Sequence, residues 1–326
     1  MKTKLLILFM LLTVCCGTSV SQVRFQFSDG IYDEVLKAKM ESNISRLLSE
    51  INNAEQGKRT LLLSSINMTE PAKAGLRNLW NAIRFKCEWN ANVQSCLRET
   101  LGYQVRQIAI EIKPIDNEYR GELHKELTIS LDKRGTITGV RIALDNHSYS
   151  GTIRNGVNVT DVRRRNQLIS FVEDFRSYYV EKDTAALNKI FSDDAVIITG
   201  RIIKPAEKVN IEVNNAKKKV IYNKQSKKQY LRNLRNLFKN TKYIQVDFSD
   251  IEIIRHGSLD YVYGVRLRQK WDSQRYSGNR YSDDGHVFLL WNLKDEENPK
   301  IYVRSWTPYD NELTDEELGH PEDFSY

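Results

Sequence analysis

The feature that most constrains the fold is the alternation of apolar and polar residues in the last third of the chain. Residues 243–254 alternate as far as Phe248 and then shift phase by one residue at Ser249, as a β-bulge requires. Residues 287–293 are apolar on both faces, which is typical of a central strand, and residues 301–306 add a further strand. A strand between residues 254 and 287 places one set of residues on a single face: Tyr261, Tyr263, Val265, Leu267 and Trp271. The pattern therefore predicts four consecutive strands of an antiparallel sheet.

Three amphipathic helices and one strand precede these four strands. A first helix is predicted from the spacing of Leu168, Ile169, Val172, Phe175 and Tyr179. A short helix over 185–191 and a strand over 195–199 follow it. Ser226 and Gln229 have the spacing of a capping box, and they predict the start of a third helix that buries Tyr230, Leu231, Leu234, Leu237 and Phe238.

This order of elements, over residues 165–308, resembles the nuclear-transport-factor-2-like or SnoaL-like family. Two segments carry the resemblance: SFVEDFRSYYVEKDTAALNKIFSDDAVI at the paired helices and HVFLLWNLKDEENPKIYVRSW at the closing hairpin. The resemblance implies a cystatin-like α+β cone, a curved antiparallel sheet wrapped round helices, as in modules of exported bacterial proteins. Cones of this family can hold a small apolar ligand, and some members are isomerases, dehydratases or cyclases.

Residues 22–145 predict a smaller α+β domain in which helices are followed by an antiparallel sheet. Gly135 suits the turn of a hairpin with a bulge. The sequence leaves open whether this domain is a second copy of the same fold. Its predicted elements are helices over 31–55 and from Thr69 onward, and strands over 59–66, 105–112, 127–131 and 136–144.

Residues 1–21 are typical of a cleaved signal peptide. Lys2 and Lys4 precede a short apolar run, and small residues follow it. This predicts an exported protein, periplasmic or secreted, while Cys15 and Cys16 leave a lipid-anchored form as the alternative. The rest of the chain is expected to divide into a linker (146–165), the cone (166–308) and an acidic tail (309–326).

Cys87 and Cys96 are the only cysteines that follow the predicted signal peptide. In an oxidising compartment a disulfide between them is one expectation, and two buried thiols are the other. They lack the neighbouring histidine or carboxylate pairs of a zinc site. Motifs for dinucleotides, phosphate loops and catalytic nucleophiles are missing from the sequence. The sequence therefore predicts neither a metal nor a cofactor.

The candidate catalytic residues follow from the resemblance, whose enzymes use a carboxylate or histidine in the cavity beside a tyrosine. These are Asp194 or His286 as the base and Tyr263 as the donor. Each also has a structural interpretation: Asp194 ends a short helix, His286 starts a strand, and Tyr263 belongs to an apolar face. The aromatic residues expected to line a ligand pocket are Tyr263, Trp271, Trp291 and Trp306.

Charge is unevenly distributed in this chain of net charge +7. Residues 201–242 hold thirteen lysines and arginines against two glutamates, and seven carboxylates lie from Asp310 onward. The basic segment is either a solvated helix face or a surface for an anionic glycan or a membrane. Nucleic acid is disfavoured, because helix packing accounts for the aromatic residue among these charges and export separates the protein from it.

A complete fold signal without a convergent set of titratable residues predicts an exported, non-catalytic binding module. Its partner is a small ligand or a protein, and a homodimer is one possible state. The alternative is an isomerase, dehydratase or hydrolase that acts on a small molecule in the cone.

Overall fold

Strands organise most of the chain. The computed structural model describes residues 22–93, 96–99, 101–115, 119, 121–144, 149, 151–153, 161–202, 220–309, 313 and 315–324. In these residues the strands form sheets of two, five and six strands. The predicted signal peptide, most of the predicted linker and residues 203–219 of the basic segment lie outside the described residues.

The N-terminal unit places two helices against a five-stranded sheet. In chain order, its described elements are β1 (Arg24–Phe27), α1 (Glu34–Gln56), α2 (Glu70–Ala82), β2 (Arg84–Cys87), β3 (Asn90–Val93), β4 (Cys96–Arg98), β5 (Gly102–Lys113), β6 (His124–Asp132) and β7 (Ile137–Ile142). The sheet has the order β2-β5-β6-β7, with β4 also on β5, and β1 pairs in parallel with β3. Thr69 caps α2 as expected, since its hydroxyl accepts a hydrogen bond from the backbone N–H of Ala72.

The C-terminal unit contains the six-stranded sheet. Its described elements are α3 (Val162–Val180), α4 (Thr184–Ile190), β8 (Phe191–Ile202), β9 (Val220–Ser226), α5 (Lys227–Asn240), β10 (Thr241–Arg255), β11 (Val262–Arg275), β12 (Arg280–Asn292), β13 (Lys300–Pro308) and α6 (Asp315–Leu318). The strand order is β10-β11-β12-β13-β8-β9. The four strands predicted as antiparallel are confirmed, while β8 joins β13 in parallel.

The sheet has a concave face that holds the helices and an outer face. The register of β10 shifts between Ser249 and Glu252, and Asp250 has a positive φ of 52°. This confirms the predicted bulge, which bends a strand and increases its twist. The predicted α+β fold class is confirmed, because helices pack against a curved sheet in which most neighbouring strands are antiparallel.

Aromatic side chains fill the concave face. Phe175 of α3 packs edge-to-face on Tyr179, with ring centroids 5.0 Å apart, and on Phe191, 5.9 Å away. Tyr230 of α5 packs edge-to-face on Phe191 at 5.8 Å. The capping box of Ser226 and Gln229 is present at the start of α5. Aromatic pairs of this geometry prefer offset or edge contacts, so the helices are held in one orientation over the sheet.

A buried ion network joins the two units. The Glu173 carboxylate of α3 accepts two hydrogen bonds from Arg106 of β5, at 2.8 and 2.6 Å, and one from the backbone N–H of Leu144 at 2.9 Å. Arg141 of β7 lies 3.5 Å from the same carboxylate and 2.6 Å from Asp174. Burial raises the pKa of Glu173, but the two guanidinium groups lower it by more. The carboxylate is therefore ionised inside the protein.

The acidic tail covers part of the outer face. A cluster of Val262, Phe288, Leu290 and Val303 lies there. Phe324 stacks on Phe288 with a centroid distance of 5.7 Å. The backbone carbonyl of Gly319 accepts a hydrogen bond of 2.8 Å from Arg266. Of the helices within the described ranges, none is both long and apolar enough to cross a bilayer.

The structure differs from the sequence-based expectation in several elements. Residues 59–66 form no strand. Leu61 and Leu63 are buried in alternation with exposed residues, and Ile66 is buried too. The main chain does not pair with a sheet, and the carbonyl of Arg59 accepts hydrogen bonds from two side chains instead. The short strands β1–β4 and β9 were not predicted. Tyr261 precedes β11 and packs against the outer face. Helix α3 begins at Val162, inside the predicted linker.

We expect Glu173→Gln to lower the free energy of unfolding by about 3–5 kcal/mol, because it leaves the buried guanidinium of Arg106 without its anion. Urea unfolding monitored by circular dichroism measures the change. Glu70→Gln, which removes an exposed carboxylate paired with Lys73, is the control and should leave the midpoint unchanged. Equal midpoints for the Glu173 variant and the wild type would contradict the role of the network.

Glu181 predicts an unusual pH dependence of stability. It ends α3 and lies against α2, where a Cβ on Gly75 would come within 2.8 Å of its Oε2. Burial, then the charges of Asp174 and Asp183, raises the pKa of Glu181 to about 8, with Arg141 opposing. The protonated form is therefore favoured in the folded state. Its stabilisation is complete below the unfolded pKa, near 4.5, and is lost as the pH rises through 8.

We expect Glu181→Gln to remove this dependence. The variant should match the wild type at pH 5 and exceed it at pH 9 by on the order of 2–4 kcal/mol, since one pKa unit corresponds to about 1.4 kcal/mol. Urea unfolding at pH 5, 7 and 9 gives the comparison. Glu297→Gln, at an exposed position, controls for the loss of a carboxylate. A constant difference between Glu181→Gln and the wild type at all three pH values would refute the assignment.

Candidate functional site

A cleft of about 760 Å³ lies where the N-terminal unit meets the edge of the cone. Trp271 and Phe248 give it apolar walls, and charged residues of both units surround them. The remaining lining residues are Gly121, Glu122, Lys125, Arg176, Gln245, Asp247, Ser249, Lys270, Asp272, Ser282, Asp283 and Asp284. Most of the lining is polar or charged, so the cleft is suited to a small ligand that combines polar groups with one apolar part beside Trp271 and Phe248.

Trp271 separates this cleft from the interior of the cone. It lies on the concave face of β11 directly opposite Asp283 of β12. Its indole packs edge-to-face on Tyr179 with a centroid distance of 5.8 Å, and its Nε1 donates to Ser273 at 3.1 Å. One side of the ring therefore faces the cleft and another the buried phenol.

Behind Trp271, polar groups meet around Gly285. Gln269 lies opposite Gly285 in the β11–β12 register. A Cβ on Gly285 would come within 2.5 Å of the indole Nε1 of Trp306, so this ring lies directly over the glycine. Arg304, two residues before Trp306 on the same face of β13, extends to Gln269, with Nη2 3.4 Å from its Oε1. Gln269, Asp283, Gly285, Arg304 and Trp306 are called the Arg304 cluster below.

Arg304 is a buried cation that lacks an ion-pair partner among the described residues. Only 4% of it is exposed, and its Nε and Nη1 make no hydrogen bond within the described part of the chain. Burial lowers the pKa of this guanidinium, but the oxygens of Tyr230, Tyr179 and Asp283 raise it by more. The group is therefore charged. Buried donors without acceptors are rare in folded proteins and cost about 1–3 kcal/mol each.

Two further buried atoms of the Arg304 cluster lack partners among the described residues. They are the indole Nε1 of Trp306 and the Oδ1 of Asp283. The other oxygen of Asp283 accepts a hydrogen bond of 2.8 Å from the hydroxyl of Tyr281. Burial raises the pKa of Asp283, and the hydrogen bond from Tyr281 and the charge of Arg304 offset only part of that effect.

A pair of phenols flanks the guanidinium. The hydroxyls of Tyr179 and Tyr230 are 2.7 Å apart and hydrogen-bond each other. Burial raises the pKa of Tyr179 well above its ordinary value, so this phenol remains neutral. The carbon of the Arg304 guanidinium lies 5.6 Å from the centroid of the Tyr230 ring, a cation–π contact. The cluster can therefore donate hydrogen bonds to an acceptor in surroundings from which water is excluded.

Among the predicted ligand-binding aromatic residues, two lie at this site and two lie elsewhere. Trp271 and Trp306 contact the cleft and the Arg304 cluster. Trp291 lies at the opposite end of the concave face, stacked on Phe171 at 5.5 Å, and Tyr263 is its register partner. The hydroxyl of Tyr263 donates to the backbone carbonyl of Asp260 at 2.8 Å.

The three weak catalytic candidates occupy separate places. Asp194 is exposed on β8, beside Asp193, which pairs with Lys227 at 2.7 Å. His286 is on the outer face of β12 and stacks on Tyr309 with a centroid distance of 4.8 Å. Tyr263 is buried in the concave face. The structure therefore does not bring the proposed base and donor together.

Cys87 and Cys96 are both free thiols and both buried. Burial raises the pKa of Cys96 to about 12 and that of Cys87 further. Cys87 borders a second groove, of about 650 Å³, in which Trp89 is half-exposed. Among the described residues, His, Cys, Asp and Glu side chains nowhere gather in a group of three that could hold a metal ion.

The described part of the basic segment forms an exposed face. Lys228, Arg232, Arg235 and Lys239 of α5 all point outward. Lys227 differs, because it is buried and donates to the carbonyl of Phe191 at 2.9 Å. Residues 203–219, which carry much of the charge, lie outside the described residues.

Comparison with known proteins gives similarity over about half of the chain. No protein-family model and no curated protein matches it. Naphthalene 1,2-dioxygenase with indole bound has a TM-score of 0.38 at 8% identity, over 52% of this chain and 91% of that one. A candidate aromatic ring hydroxylase from Novosphingobium aromaticivorans has a TM-score of 0.36 at 10% identity, over 49% of this chain and 100% of that one. A nuclear transport factor 2-like superfamily protein from Salmonella enterica has a TM-score of 0.33 at 9% identity, over 51% of this chain and 98% of that one. Similarity at this level indicates no chemistry for this chain, which has to be inferred from its own residues.

We expect Arg304→Met to leave the free energy of unfolding unchanged or to raise it by about 1–3 kcal/mol, because it replaces an unpaired buried cation with an apolar chain of similar length. Urea unfolding gives the value. Arg106→Met, at a buried arginine that does have a carboxylate partner, is the matched control and should lose about 3–5 kcal/mol. A comparable loss in both variants would show that Arg304 is a structural residue.

Proposed function

We propose that the C-terminal cone binds a small ligand in the cleft beside Trp271 and does not transform it. The observation that carries the proposal is the set of buried polar atoms of Arg304 and Trp306, unpartnered among the described residues, behind a cleft that Trp271 and Phe248 line together with polar side chains. Buried donors of this kind are retained where a ligand or water completes their hydrogen bonds. A site used only for packing would gain stability from apolar residues at the same positions.

The proposed binding protein is exported, as a periplasmic or secreted form. Support comes from the basic start, apolar run and small residues of the first 21 positions. A non-catalytic role is supported by the separation of Asp194, His286 and Tyr263, since an acid–base mechanism needs its groups within hydrogen-bond reach of one substrate.

One observation favours a second candidate function, an isomerase, dehydratase or hydrolase that acts on a small molecule. Asp283 lines the cleft, has a raised pKa and accepts a hydrogen bond from Tyr281, which is a suitable pair for general acid catalysis. Turnover of ketosteroid-like or polyketide-like substrates that is lost in Asp283→Asn would favour this candidate over simple binding.

We expect the neutral fluorescent probe N-phenyl-1-naphthylamine to bind at one saturable site per chain, with a rise in its emission. Trp271→Ala should weaken binding about tenfold or more, because the indole forms the apolar wall of the cleft and a buried aromatic contact contributes about 1.5–3 kcal/mol. Fluorescence titration measures both affinities.

Trp89→Ala is the matched control for this titration. Trp89 lies in the second groove, so its replacement should leave the affinity unchanged. Loss of binding in the Trp89 variant but not in the Trp271 variant would move the site to the N-terminal unit. The proposed function is also wrong if the wild type does not bind the probe.

A further inference from the structure

We propose that the ligand of the cone carries a carboxylate and that Arg304 is its anchor, with the indole N–H of Trp306 as a second donor. This inference rests on the proposed function and adds the chemical class of the ligand. It follows from three properties of the Arg304 cluster: its charge, its donors and the residues around it.

The charge of the cluster requires an anion. Arg304 is almost fully buried and forms no salt bridge with any carboxylate of the described residues. Its cation–π contact with Tyr230, its interaction with the Tyr179 hydroxyl and its long bond to Gln269 supply no carboxylate. Taking a guanidinium out of water costs several kcal/mol, and an opposite charge offsets that cost better than neutral groups do. A ligand without negative charge would leave this cost in place.

The donors of the cluster match an acceptor that carries no proton of its own. Guanidinium and indole groups only donate hydrogen bonds. Arg304 and Trp306 point to the same face of β13, two residues and about 7 Å apart along the strand. The Trp306 ring lies over Gly285, and Arg304 reaches Gln269 opposite that glycine. The two side chains therefore lie on one face of β13 with unpartnered N–H groups, Nε and Nη1 of Arg304 and Nε1 of Trp306, to which a carboxylate could be an acceptor.

Asp283 limits the charge that the site accepts. Its unpartnered Oδ1 borders the cluster, and Asp284 lines the same cleft. A dianion such as phosphate would meet these two acidic side chains with only one guanidinium to balance its charge, so the arrangement favours a monoanion.

The apolar residues around the cluster define the rest of the ligand. Trp271 and Phe248 line the cleft, and Tyr179 packs against the inner side of Trp271. These rings offer faces and edges to a flat apolar group. An arylalkyl carboxylate, with its carboxylate beside Arg304 and its ring against Trp271, satisfies both parts of the site.

Phenylacetate and its neutral isostere phenylacetamide test the inference by displacing N-phenyl-1-naphthylamine from the wild-type protein. Phenylacetate should compete at least tenfold better, since hydrogen bonds to charged groups contribute about 1.5–3 kcal/mol. Arg304→Gln should abolish this preference, which is measured as the ratio of the two competitors' affinities for the same variant. Trp306→Phe, which keeps the ring and removes the N–H, should reduce the preference without abolishing it.

Arg235→Gln is the control, because it removes an exposed arginine of α5 and should leave the preference unchanged. Equal competition by acid and amide, an unchanged preference in Arg304→Gln, or stronger competition by inorganic phosphate than by phenylacetate would each overturn the carboxylate assignment, while binding of the neutral probe would still support the proposed function. If the neutral probe does not bind at all, both proposals fail.

Discussion

Glu173 is the group on which the arrangement of the two units depends. It comes from the first helix of the cone, yet its carboxylate is held by arginines from two strands of the other unit. Without it Arg106 would be buried with no carboxylate in contact and Arg141 would keep only Asp174, and an unpaired guanidinium in the interior is costly. This ion network joins α3 to the N-terminal sheet, and the cleft beside Trp271 lies where the two units meet.

Two buried arginine sites of this protein differ in one respect. Arg106 and Arg141 have carboxylate partners within the chain, and all their charge is balanced locally. Arg304 has only phenols, an amide and a distant carboxyl around it. A buried guanidinium is stabilised by an anion. The first site contains its carboxylates and so joins the two units, whereas the second lacks one. We interpret the incomplete site as the place where a ligand supplies the missing anion.

Much of the fold follows from the sequence, because burial imposes a period on each strand and helix. The bulge at Ser249, the capping box of Ser226 and the central position of β12 could all be predicted from local pattern. The strand predicted over residues 59–66 was wrong for a physical reason. Leu61 and Leu63 are buried in alternation, but they pack in a loop between two helices. The parallel pairing of β8 with β13 joins segments about 100 residues apart in sequence, and local periodicity contains no information on it.

The site was predictable only in part. Aromatic content pointed to Trp271 and Trp306, and the same reasoning included Tyr263 and Trp291, which lie at the other end of the concave face. Arg304 and Gln269, on which the proposed ligand binding depends, were not predicted, because a polar side chain on a strand is normally solvated. A signal was present, since each shares the face of a tryptophan two residues away. Only the register of neighbouring strands shows that both meet at Gly285.

The indole N–H resonances of the five tryptophans give the most direct test of whether the cone holds a carboxylate at this point. In a ¹H–¹⁵N correlation spectrum, assigned by single Trp→Phe replacements, addition of phenylacetate should move the Trp306 signal downfield as its N–H gains an acceptor. The Trp89 signal, from the other groove, should stay in place. An unmoved Trp306 signal at saturating phenylacetate would contradict the account.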